Sequence, residues 1–191
     1  MSAGIGHNQG PSLETGHKWR AFQWQKAREA AMPKTIPLMV VKMRVKRARE
    51  LGLDYKAYAA IRQATGRDIL ALLFSNNALR VMHADAPRMP VDRANVLDRV
   101  QGAQKLALVH RPIVPAEFEA ANPVMDHVGQ APKFTDSWTE MRDHLHDAVR
   151  QRKLVGDQVL IIGDTAFERD WCAASKAAGY LASARYFRAG A

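Results

Sequence analysis

QVLIIGDTAFE, residues 158–168, is the stretch whose reading decides the fold. Its apolar run ends at Gly163, and Thr165 stands three residues before Glu168, the spacing of a capping box that opens a helix. A strand delivered directly into a helix is half of a strand–helix–strand unit, so similar units are expected elsewhere along the chain. Upstream, ILALLF (69–74) is an apolar run followed by the turn-like Ser75-Asn76-Asn77; its length favours a strand over a helix. KLALVH (105–110) is a further strand candidate and ARYF (184–187) a last one. Helical patterns fall between them at about 92–101, 136–153 and 165–178. This alternation predicts an α/β protein with a small, mostly parallel sheet and helices on both faces. Residues 111–135, with Pro112, Pro115, Pro123 and Pro132, read as a loop holding one short helix at 115–121.

Before the sheet the texture is different. Residues 1–17, rich in Gly, Ser, Asn and His, read as a flexible tail. Segment 18–31 has helical spacing around Trp19 and Phe22. A stronger helix is expected over about 38–51, with Leu38, Val41, Val45 and Ala48 along its apolar side and Gly52 as its stop. Asp54 then caps a second helix at roughly 55–64, closed by Thr65-Gly66. The organisation expected is a tail (1–17), a basic helical region (18–67) and an α/β domain (68–191).

The charge follows the same division. The chain carries 28 Lys and Arg against 19 Asp and Glu, a net of +9. Residues 1–72 hold 13 of the basic and five of the acidic side chains, while the rest is close to balanced. An excess confined to one segment points to an anionic partner for that segment. Hydrophobic content of 47% excludes wholesale disorder, and no apolar run approaches the length needed to cross a bilayer. The opening residues lack a secretory pattern and Cys172 is the sole cysteine, so the expected setting is cytoplasmic, with no disulfide.

The stretch KRARELGLDYKAYAAIRQATG resembles a helix-turn-helix through Ala48, Leu51, Gly52, Leu53 and Ile61. A small residue at 48 lets the helices approach, Gly52 permits the turn, and Leu51 with Ile61 closes the angle. The resemblance implies nucleic-acid binding, DNA rather than RNA. Tyr55, Lys56, Arg62 and Gln63 would then reach bases or phosphates, with Lys42, Arg44, Lys46, Arg47 and Arg49 positioning the backbone. Trp19, Trp24 and Tyr55 are candidates for stacking on unpaired bases. A plain helical hairpin with solvated charges, or a basic face meeting an acidic protein, accounts for the same residues; a homo-oligomer is compatible with either.

The Gly163-Asp164 turn resembles the late acidic motif of haloacid-dehalogenase-type phosphatases, which helps to hold magnesium. Ser75 with Asn76-Asn77 resembles that family's second motif, and Lys133 stands for its phosphate-neutralising lysine. The resemblance implies a phosphate site of Ser75, Lys133, Asp164 and Thr165, placed where helix starts meet the sheet's C-terminal edge. The family's Asp-x-Asp pair, whose first member is the nucleophile, has no counterpart before Ser75. The chain thus reads as a magnesium-dependent phosphohydrolase, as a degenerate relative that only binds, or as an ordinary capped turn.

Other chemistry is sparse. His144 and His146 diverge around a helix, and His83-Asp85 and Asp126-His127 lack further ligands, so neither a metal nor another cofactor is expected. Cys172 reads as a small packed group. The opening GIGHNQGP (4–11), with LGLDY and LLFSNNALR, resembles a group of alphaproteobacterial proteins, and similar openings occur in proteins of phage-like elements; this implies a bacterial setting and no particular activity.

Overall fold

The computed structural model describes residues 36–189. The chain divides into two compact units, residues 1–41 and 42–191, and the second holds the whole sheet. The expected tail and the helical segment around Trp19 and Trp24 lie outside the described residues.

Five parallel strands form the sheet: β1 (Ala71–Ser75), β2 (Gln104–Val109), β3 (His127–Gln130), β4 (Val159–Gly163) and β5 (Gly179–Ala182), in the order β3-β2-β1-β4-β5. The chain builds outward from β1 through β2 to β3, then crosses back to add β4 and β5 on the other side. The reversal makes the carboxyl ends of β1 and β4 the switch point of the strand order, where open α/β sheets usually take ligands. Both of these strands are buried along their whole length, which explains their unbroken apolar runs.

Among the described residues seven helices cover the faces: α1 (Leu38–Glu50), α2 (Tyr55–Thr65), α3 (Val91–Asp98), α4 (Pro115–Ala121), α5 (Trp138–Gln151), α6 (Ala166–Ser175) and α7 (Ser183–Ala189). Alternate strand residues sort the core. Leu72, Phe74, Ala107, Leu160 and Ile162 meet Ala48, Tyr58, Leu97, Phe118 and Tyr186, whereas Leu73, Leu106, Leu108, Val159 and Ile161 meet Leu145 and Trp171. Helices therefore lie on both faces, as the alternation of elements predicted.

Local chemistry places the helix ends. Asp54 accepts the Ala57 N–H at 2.7 Å, and Gly66 ends α2 in the left-handed conformation at φ +71°. The Ala57 N–H, assisted by Arg185, holds the Asp54 carboxyl below its ordinary range against the opposing effect of burial. Ser137 with Glu140 and Thr165 with Glu168 form complete capping boxes on α5 and α6.

Three expectations are corrected. Residues 184–187 belong to α7, not to a strand; Gly179–Ala182 is the fifth strand, because the chain leaves α6 and pairs at once with β4. Tyr186 and Phe187 are both buried, and the Tyr186 hydroxyl donates to the Leu51 carbonyl at 3.1 Å. Within 111–135 there is also a strand, β3, four residues long with His127 and Gln130 at its ends, too short and polar to show a strand period. Finally, the units do not divide at 67/68. Ala48, Leu51, Leu53 and Tyr58 share one core cluster with the strands, so α2 and most of α1 belong to the α/β body.

Candidate functional site at the carboxyl edge of the sheet

The loops after β1 and β4 are stitched together at the switch point. The Asn77 side-chain amide donates to Glu168 Oε1 at 2.7 Å, and Glu168 Oε2 accepts the N–H groups of Asp164 at 2.6 Å and Thr165 at 3.0 Å. The Glu168 carboxylate is wholly buried, and these three donors replace its lost water. Gly163 is required here: a Cβ on it would stand 2.8 Å from Glu168 Oε2 and 3.0 Å from the Tyr180 ring. Ser75 is also buried, its hydroxyl accepting the Ala78 N–H at 3.0 Å. Asp164 is exposed and accepts the Ser183 hydroxyl.

One strand over, Asn76 sets the state of His110. The Asn76 amide donates to the Val81 carbonyl at 2.9 Å, so its oxygen faces His110 and accepts both the backbone N–H at 3.0 Å and Nδ1–H at 2.7 Å. The proton thus sits on Nδ1, and Nε2 is a bare lone pair, enclosed and without a partner. Burial pushes the imidazole below its ordinary range, with Glu168 pulling the other way. Phe134 stacks on His110 at 5.2 Å between ring centroids and 13° between planes; Trp171 at 5.5 Å and Phe167 at 6.2 Å complete an aromatic cage. Trp171 Nε1 is enclosed without a partner as well.

On the other face, Arg93 of α3 is the unusual group. Its side chain is 10% exposed, yet Nε and Nη1 have no hydrogen-bond partner. Asp92 is 3.8 Å away, beyond hydrogen-bond reach, and is itself mostly exposed. The guanidinium lies 3.8 Å above the Phe187 ring, a cation–π contact that offsets part of its desolvation. Burial lowers its affinity for the proton; Asp92 opposes this, Arg80 adds to it and Asp164 opposes it. Arg80 and Asp164, both in loops at the carboxyl edge, thus lie within electrostatic reach of Arg93. Arg80 is exposed, with a left-handed backbone at φ +60°.

Of the residues expected to form a phosphate site, Ser75, Asp164 and Thr165 follow the carboxyl ends of the neighbouring strands β1 and β4. Lys133 is exposed in the loop after β3, beside Phe134 and within electrostatic reach of Glu140 at the start of α5. The donors do not suit the magnesium that the phosphatase resemblance implies: Glu168 is spent on three donors, Asp164 holds Ser183, and Ser75 and Asn77 bring no charge. No group of three or more metal-ligating side chains occurs among the described residues.

The basic helices are also divided in role. Arg47 is built into the fold: Nε meets Asp68 at 3.0 Å, Nη1 meets Glu50 and the Gln101 carbonyl at 3.3 Å, and Nη2 meets the Ile69 and Gly102 carbonyls at 2.9 Å. It is therefore withdrawn from the proposed nucleic-acid surface, and Arg62 lies 3.9 Å from Asp68. Lys42, Lys46, Arg49, Lys56 and Gln63 are exposed, Arg44 and Tyr55 half-buried, and Lys46 has only a loose pair with Glu50 at 3.9 Å.

No family model, no curated protein and no solved structure matches the chain. Arg93 and His110 escaped the sequence reading. The signal for Arg93 was a charge in the apolar stripe that continues through Val96, Leu97 and Val100; for His110 it was a titratable group ending an apolar strand.

Proposed function

We propose that the chain binds a phosphate-type anion at the carboxyl edge of its sheet and does not hydrolyse it. Arg93 carries this reading. An enclosed guanidinium with unfilled donors is costly to a fold, and a tetrahedral oxyanion is the partner its planar fork matches. Exposed Arg80 supplies a second cation whose repulsion from Arg93 an anion would relieve. The lack of turnover follows from the loop after β1. No Asp-x-Asp pair stands there: the Ser75 hydroxyl is already engaged as an acceptor and the Asn77 amide is bound to Glu168. Calorimetric titration with inorganic phosphate tests the proposal. Arg93→Met should weaken binding about 10- to 100-fold, the loss expected of a charge-assisted pair. Equal affinity in the two proteins, or magnesium-dependent phosphomonoester hydrolysis by the wild type, would overturn it.

One observation favours a second reading, nucleic-acid contact through the helices. Lys42, Lys46 and Arg49 share one face of α1, exposed, and Lys56 is exposed on α2. Duplex binding should then weaken steeply with salt, and Arg49→Ala with Lys56→Ala should lower the log–log slope by about two. A salt-independent signal, or an unchanged slope, counts against this surface.

A further inference from the structure

The segments that lead into β1 and β4 and the ends of α5 and α6 border a pocket of about 380 Å³. It lies at the amino edge of the sheet, opposite the edge that holds Arg93, and its volume is in the range of small-molecule pockets. Its floor is preformed. Gly156 packs so closely on the end of α6 that a Cβ there would run into the Ser175 carbonyl oxygen and stand 2.7 Å from that of Lys176. The Gly156 carbonyl also accepts the Ala178 N–H at 3.2 Å.

The charges around this pocket do not balance. Arg67 is paired with Asp157 at 3.1 Å, which accounts for one cation and for the pocket's carboxylate. Arg150 and Lys176 are exposed, and neither side chain has an ion pair or hydrogen bond among the described residues. Asp147 borders an adjoining cavity that shares Arg150 and Lys176, but not this one. Two positive charges are therefore left over. Cations at helix ends meet the negative end of the helix dipole, which is reason enough for Arg150 in the last turn of α5. It is less of a reason for Lys176, which ends α6 in the left-handed conformation at φ +53°, where glycine is the easier residue. The rest of the wall is apolar: Val149, Leu154 and Val155, the last 47% exposed.

We propose that this pocket binds a small organic dianion, a dicarboxylate or a phosphomonoester on a short apolar body. Arg150 and Lys176 take the two negative charges, and Val149, Leu154 and Val155 take the body. The site is separate from the anion site at the carboxyl edge and does not depend on it.

Calorimetry on the full chain with glutarate, phenyl phosphate and the monoanion butyrate tests the proposal. At least one dianion should bind about tenfold more tightly than butyrate, the difference expected of one charge-assisted contact. Glutarate alone would identify a dicarboxylate, phenyl phosphate alone a phosphomonoester. Arg150→Gln and Lys176→Gly should each weaken that binding about tenfold. Both positions are exposed, and glycine suits the left-handed backbone at 176, so both variants should fold. Arg93→Met should leave the binding as it is. Neither dianion binding better than butyrate, or binding that survives both Arg150→Gln and Lys176→Gly, overturns the pocket. Binding that is lost in Arg93→Met assigns the dianion to the carboxyl edge, which overturns this inference while the phosphate reading stands.

Discussion

Arg47 and Arg93 are two guanidinium groups withdrawn from water at opposite edges of one sheet, with side-chain exposures of 17% and 10%. Around Arg47 five acceptors converge, two carboxylates and three backbone carbonyls, four of them in the segments that lead into β1 and β2 and the fifth, Glu50, at the end of α1. Around Arg93 the ring of Phe187 is the closest compensation, and two nitrogens go unfilled. A satisfied buried cation is explained by the fold it holds together. An unsatisfied one is a cost to that fold, and a ligand is the simplest reason to carry it.

The contrast can be broken by substitution, and the largest effect is expected at Arg47. Arg47→Met strands Asp68, Glu50 and the Ile69 and Gly102 carbonyls together, and should destabilise the chain by about 3 kcal/mol, read as a lower urea midpoint. A loss below about 1 kcal/mol would mean that water replaces the fork and that the two arginines are alike. The sign should reverse at Arg93. Arg93→Met keeps the volume, removes the unpaired charge and should stabilise by about 1 kcal/mol while phosphate binding weakens. Marked destabilisation there would assign Arg93 to the core through Phe187.

The smallest effect concerns pH. Burial depresses the folded pKa of His110 below the ordinary 6.5, with Glu168 the charge facing it. The unfolded chain then binds a proton that the folded imidazole refuses. His110 therefore contributes fully above about pH 6.5, and stability is lost as pH falls from there toward the folded pKa. Wild-type stability should drop between about pH 7.5 and about pH 5.5 by no more than about 1 kcal/mol, and His110→Phe should flatten that slope. An identical slope in the variant would show that the imidazole titrates as freely in the cage as in water.

Much of the scaffold was legible in the residues. The apolar runs gave β1, β2 and β4 because strands buried on both faces need no polar alternation. Asp54, Gly66 and the Thr165–Glu168 box placed helix ends because caps act over three or four residues. The site was much less legible. Ser75, Asp164 and Thr165 were found next to recognisable turns, while Lys133 was matched by residue type alone. The basic segment was read as one surface, and tertiary contacts divide it: Asp68, a few residues beyond α2, takes up Arg47 and approaches Arg62.

Sequence alone determined the α/β class, the parallel strands and the capped turns, because periodicity and capping are properties of neighbouring residues. Only the tertiary structure decided which arginine is satisfied, which nitrogen of His110 is bare, and that the loops after β1 and β4 are bonded to each other. Those depend on partners 20 to more than 90 residues apart, as in the Asn77–Glu168 bond, and on burial, which gives an unfilled hydrogen bond its energetic weight.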